Sequence, residues 1–125
     1  MEKIVSDFPR ISCLCNIAGY TDPQSLLSTS LESFEYTYKV NVYAPFMLIR
    51  ECVRSMRKEG GKIINIASAL SFSADLNATA YTVAKHGIVG MTRSYAAELG
   101  QYGITCNAVA PGFFDSEMNR SIQEL

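Results

Sequence analysis

Three short apolar runs punctuate the chain, ISCLCNIAG over 11–19, KIINIAS over 62–68 and ITCNAVAPG over 104–112. Each reads as a buried strand closed by turn-forming residues, and the middle one is apolar on both alternating sets, a mark of burial on both faces. Between the runs the pattern turns helical. A helix is expected from an N-cap at Ser30, with Glu32 and Glu35 in its first turns, to about Lys58, where Gly60 and Gly61 stop it and Pro45 interrupts it on the way. A second helix carries NATAYTVAKHGIVG and ends near Gly100 and Gly103. The stretches YTDPQSLLSTS and ALSFSADLN read as loops, and FFDSEMNRSIQEL as the start of a further helix.

Strand, helix, strand, helix, strand implies right-handed crossovers and a parallel sheet covered on both faces. The predicted fold class is α/β: one partial, Rossmann-like, doubly wound domain of three layers over residues 1–125. In such sheets ligands sit at the carboxyl ends of the strands. The polar punctuation falls there, at Asn16 to Gly19, at Ser68 and at Pro111-Gly112.

Composition narrows the function. With 48% apolar residues, 18% charged residues and a net charge of −1, the chain lacks the basic surplus that a phosphate backbone demands, so nucleic acid is not an expected partner. The start MEKIVSDFPR has charges and a proline where a signal peptide needs an apolar run, and no stretch is long enough to span a membrane, so a cytoplasmic protein is expected. Cys13, Cys15, Cys52 and Cys106 do not fall in zinc-binding pairs; no metal site is expected, and buried reduced thiols are.

Candidate chemistry lies on the second helix. Tyr81 and Lys85 are four apart, hence on one helix face. An ammonium about 5 Å from a phenol, at an effective dielectric near ~20, favours the phenolate by roughly 3 kcal/mol, which is about two pKa units. That would suit a proton donor and acceptor for alcohol–ketone interconversion, although the same spacing also fits a packed Tyr and a solvated Lys. Ser68, at the end of the middle strand, could hold a substrate carbonyl against the phenol or simply satisfy loop backbone. Pro45 has no N–H to give the carbonyl of Asn41, which could then hold a water beside Lys85; equally, Pro45 could open a new helix capped by Asn41. His86 is turned about 100° from the Lys85 face and is expected at a surface or interface.

Together these segments resemble the classical short-chain dehydrogenase/reductase family over nearly the whole chain. CNIAG matches its Asn-Asn-Ala-Gly turn, KVNVYAPF its helix asparagine, IINIAS its serine, YTVAK its Tyr-x-x-x-Lys and NAVAPGFFDSEM its Pro-Gly segment. The resemblance implies hydride transfer between NAD or NADP and a secondary alcohol or ketone. Tyr81 would be the general acid/base, and Lys85 would lower its pKa and bond the nicotinamide ribose. Ser68 would polarise the substrate oxygen, and Asn41 would hold a relay water through its main chain. Asn16, Ala18 and Gly19 would line the adenosine side of the cofactor. Pro111, Gly112, Phe114 and Ser116 would contact its carboxamide end. In local wording PGFFDSEM is similar to 3-oxoacyl-carrier-protein reductases and INIASALSF to sugar-acid dehydrogenases.

Two departures shape the expectation. Ile17 stands for the turn's second Asn, and the family's glycine-rich phosphate turn is nowhere in the chain. The chain therefore resembles the central part of the family's fold, without its nucleotide-binding half or its last strand, with a bare sheet edge and an uncovered face expected. A catalytically silent homologue acting only by association is the alternative. The second helix shows two stripes, Val83, Gly87, Gly90, Ser94 and Ala97 on one side and Ala84, Ile88, Met91 and Tyr95 on the other. With the family's packing of its two long helices, they imply a homo-oligomer through helices near 42–59 and 79–100.

Overall fold

A computed structural model describes residues 2–114. The elements in chain order are α1 (Glu2–Asp7), β1 (Cys13–Asn16), α2 (Leu31–Tyr38), a π-helical turn (Lys39–Tyr43), α3 (Ala44–Met56), β2 (Gly61–Ile66), a 3-10 turn (Ala69–Ser71), α4 (Thr79–Leu99), a second 3-10 turn (Gly100–Tyr102) and β3 (Ile104–Val109). The expected helix at 113–125 lies almost wholly outside the described residues.

The sheet is parallel in the order β1-β2-β3, with Asn16 opposite Asn65 and Ile66 opposite Val109 at the carboxyl ends. Ser30 caps α2 as expected, its hydroxyl accepting from the Ser33 N–H at 3.1 Å. Past α4, Gly103 takes the left-handed φ of 68° that ends the turn.

Both long helices pack on the same side of the sheet. Ile49, Cys52 and Met56 of α3 and Leu99 of α4 form one core with Ile63, Ile104 and Cys106, and Leu14 packs against it. Two right-handed crossovers that step the same way along a sheet must leave their helices on one face. The described residues therefore form two of the three expected layers. On the other face Cys13, Cys15, Lys62, Thr105, Asn107 and Val109 are exposed and Ile64 and Ile66 half-buried. Among the described residues the coverage of both faces expected from the strand pattern is therefore not met, and this is the uncovered face expected from the departures from the family pattern. The expectation of four buried thiols is corrected here. Cys52 and Cys106 are buried, but Cys13 and Cys15 point from β1 into the open face.

Candidate active site

The carboxyl ends of β2 and β3 stay joined after the strands stop, because the Ala67 N–H donates to the Val109 carbonyl at 2.8 Å and the Ala69 N–H to the Pro111 carbonyl at 2.9 Å. Ser68 is thus held beside the Pro111 segment. Its hydroxyl accepts from the Leu70 N–H at 3.1 Å and caps the 3-10 turn, while its own N–H donates to the Ser71 hydroxyl at 3.1 Å.

The helix bearing Tyr81 and Lys85 begins behind Asn77, whose φ of 57° is the left-handed conformation that asparagine tolerates. The Asn77 carbonyl accepts from the Gln24 N–H at 3.0 Å, which fastens the loop after β1 to the start of α4. One turn in, Lys85 is 3% exposed, and its ammonium donates to the Ile66 carbonyl at 2.7 Å. It lies 5.4 Å from the Tyr81 ring centre.

The electrostatics differ from the sequence expectation. Burial pushes the Lys85 ammonium down from 10.5 to about 8. Burial also raises the Tyr81 phenol above its ordinary 10.0, and the hydrogen bond from Ser68 pulls it part of the way back. No lowering of Tyr81 by Lys85 is resolved in this state: the ammonium is directed at the Ile66 carbonyl and desolvated, so burial dominates both groups. Tyr81 in this state is a neutral proton donor at pH 7.

Asn41 is 2% exposed, in the π-helical turn. Its side-chain amide donates to the Tyr20 carbonyl at 2.7 Å and the Thr37 carbonyl at 2.8 Å, pinning the loop that leaves β1. The Ala44 N–H reaches back to the Lys39 carbonyl, and Pro45, with no N–H, offers nothing to the Asn41 carbonyl. The helix runs through this widened turn, so Asn41 does not cap a fresh helix. A Cβ on Gly19 would lie 3.4 Å from Asn41 Oδ1 and 3.9 Å from Lys85 Nζ. Gly19 therefore keeps the chain bare of side chain next to the ammonium.

Ser68, Tyr81, Lys85, Asn41 and Gly19 are thus brought together. Asn16 is turned away into the helix layer, where its amide donates to Asn65 Oδ1 at 2.8 Å and Asn65 donates to Thr92 Oγ1 at 3.0 Å. Any ligand contact of Asn16 has to use its main chain. Ala18 is exposed just past β1, while Pro111 is half-buried and Gly112 and Phe114 exposed beyond β3; Ser116 lies outside the described residues. His86 is exposed, its ring nitrogen 2.9 Å from the Thr82 carbonyl, away from the site. Sequence reasoning missed Ser71, which is buried and bonded to both Ser68 and Lys85. The Ser68-x-x-Ser71 spacing of a capping box was the available signal.

Among the described residues no group of His, Cys, Asp or Glu could hold a metal. No helix of the described residues is long and apolar enough to cross a membrane.

Comparison with known proteins gives the same fold. A family profile described as Enoyl-(Acyl carrier protein) reductase matches residues 1–125. The chain is 35% identical over 124 residues to the 3-oxoacyl-[acyl-carrier-protein] reductase FabG of Rickettsia felis, covering 98% of this chain and 52% of that protein. It is 39% identical over 114 residues to the short chain dehydrogenase adrF of Penicillium rubens, covering 90% and 45% respectively. A gluconate 5-dehydrogenase of Burkholderia cenocepacia, solved with NADP and tartrate, superposes with a TM-score of 0.94 at 28% identity over 99% of this chain and 49% of that one. The chain spans about half the length of the curated relatives it matches.

Proposed function

Because the chain belongs to the short-chain dehydrogenase/reductase family, we propose that it forms the catalytic segment of an NAD- or NADP-dependent oxidoreductase interconverting a secondary alcohol and its ketone. One observation carries the reading. The Ser68 hydroxyl lies at a strand end close enough to the Tyr81 phenol to lower its pKa, beside a buried ammonium that has no carboxylate partner among the described residues.

That donor set fits the cofactor. One of the three ammonium donors of Lys85 goes to Ile66, and the others can serve ribose hydroxyls, which carry no charge and suit a desolvated site. Gly19 leaves room beside Nζ. Main-chain groups at Asn16, Ala18 and Gly19, and at Pro111, Gly112, Phe114 and Ser116, would line the two ends of the cofactor.

When bound, the nicotinamide supplies or accepts the hydride. In the direction of ketone reduction, the Ser68 O–H donates to the substrate carbonyl oxygen and fixes it beside Tyr81. As negative charge grows on that oxygen, the neutral phenol gives it a proton, leaving an alcohol and a phenolate. The phenolate regains its proton from solvent, by way of Lys85 and a water at the Asn41 carbonyl. Oxidation of the alcohol runs the same steps backward.

The substrate belongs to the chemistry of 3-oxoacyl thioesters or of keto sugar acids, on the strength of the two local sequence likenesses and of relatives named for both. The setting we propose is cytoplasmic, and the assembly a homo-oligomer through the helices near 42–59 and 79–100. Its support is the exposed row of Tyr43, Phe46, Met47 and Val83 and the open space over Gly90. Turnover of one of these two ketone classes with NADH or NADPH, followed by nicotinamide absorbance, is the expected result for a form that carries the glycine-rich phosphate turn, while the 125-residue chain by itself is expected to show no saturable NAD(P)H binding. Saturable cofactor binding with no turnover of any ketone or alcohol would instead favour the silent, associating homologue.

A further inference from the structure

We propose that Ser71 is a positioning residue, holding the Ser68 hydroxyl in line with the Tyr81 phenol by fastening the Ser68 segment to the main chain of Lys85. The inference rests on the reading of Ser68 and Tyr81 as the reacting pair.

Ser71 is 3% exposed. Its hydroxyl donates to the Lys85 carbonyl at 2.8 Å and accepts from the Ser68 N–H at 3.1 Å. The Lys85 ammonium, at the other end of the same residue, donates to the Ile66 carbonyl at 2.7 Å. The segment from Ile66 to Ser71 is therefore clamped twice by Lys85, once by its side chain before Ser68 and once by its main chain after it. Ser68 sits between the two fastenings.

The clamp also fixes direction. A serine hydroxyl has one proton to give, and with the Leu70 N–H donating to Ser68 Oγ at 3.1 Å the Ser68 proton is free for the phenol or a substrate oxygen. That arrangement exists only while the 3-10 turn from Ala69 to Ser71 stays closed. Without the Ser71 hydroxyl, the Ser68 N–H loses its acceptor and the turn loses its tie to α4. An error of about 1 Å in a reacting group can cost on the order of a hundredfold in rate.

The test uses Ser71→Ala, Ser68→Ala and the double variant of the protein. Two quantities are read: the titration of Tyr81 by NMR of an isotope-labelled tyrosine ring carbon, and kcat against KM for ketone reduction. Ser71→Ala should raise the Tyr81 pKa, as Ser68→Ala does, and lower kcat about 10- to 100-fold while cofactor KM stays within about twofold. The double variant should be no worse than Ser68→Ala alone, because both changes remove one arrangement. Ser71→Thr, which returns the hydroxyl, should recover most of the titration shift. An unchanged Tyr81 titration in Ser71→Ala, or losses that multiply in the double variant, would overturn the proposal. If Ser71→Ala does not fold, Ser71→Cys, close in volume with a weaker donor, is judged by the same criteria. A protein with normal titration shifts but no turnover would count against the functional reading and leave Ser71 assigned.

Discussion

Lys85 places a charge where burial opposes it, and its consequences separate stability from function. The fall from 10.5 to about 8 corresponds to about 3 kcal/mol of penalty for the charged form at neutral pH. Lys85→Met removes that penalty and loses the bond to Ile66, worth about 1 kcal/mol, so it should stabilise the fold by about 2 kcal/mol while abolishing turnover. The sign with pH follows from proton counting. Between about 8 and 10.5 the unfolded chain binds the Lys85 proton and the folded chain does not, so wild-type stability gains from Lys85 as pH rises. The advantage of Lys85→Met in urea midpoints should be full below about pH 8, vanish at about pH 9.5 and turn into a disadvantage of about 1 kcal/mol above about pH 10.5. For catalysis, with the phenol neutral and the ammonium charged, kcat/KM for ketone reduction should hold through neutrality and decline above about pH 8. A profile that rises from pH 7 to 9 would contradict these assignments. At this scale the sequence showed which residues meet, because helical spacing and strand ends dictate it. It did not show the direction of the Tyr81 shift, which depends on how deeply each group is buried.

At the scale of elements, the strands and long helices were legible from apolar runs and caps, and Ser30, Gly60, Gly61 and Gly103 mark true boundaries. The π-helical turn was half legible. Pro45 signalled a break in the hydrogen-bond ladder, but whether the helix restarts or widens is set by the packing of Thr37 and Asn41, both buried. The double-glycine stop has a tertiary reason as well as a local one. Gly60 has a φ of 80°, and a Cβ there would come within 2.8 Å of the Gly103 carbonyl, where the chain enters β3. Gly60→Ala should cost about 2 kcal/mol or more by combining left-handed strain with that clash. Denaturant unfolding checks this, and a loss under about 0.5 kcal/mol would show that the two turns do not depend on each other.

For the whole molecule, the topology matters more than any single element. Strands in the order β1-β2-β3 with both helices on one side leave a sheet face that the 125-residue chain does not cover among its described residues. The sequence foreshadowed this through the absence of the family's glycine-rich segment beside a middle strand apolar on both sets of positions, but which face each helix takes follows from crossover handedness and not from residue pattern. The thiols report on it. Cys13 and Cys15 are exposed, with sulfurs 3.8 Å apart, while burial raises the pKa of Cys52 and Cys106. In the 125-residue chain a disulfide reagent should label two thiols quickly and two slowly. Four equal rates would mean that the helix layer does not close over Cys52 and Cys106.

The central claim is that Tyr81 moves the proton in ketone reduction, and Tyr81→Phe tests it most directly. The variant keeps the ring and removes only the phenolic oxygen. Measured in a form that carries the glycine-rich phosphate turn, with NAD(P)H binding followed by nicotinamide fluorescence on the same samples, the prediction is a loss of about 10²- to 10⁴-fold in kcat and a cofactor Kd within about twofold of wild type. A Tyr81→Phe protein that retains more than about a tenth of the wild-type kcat would contradict it.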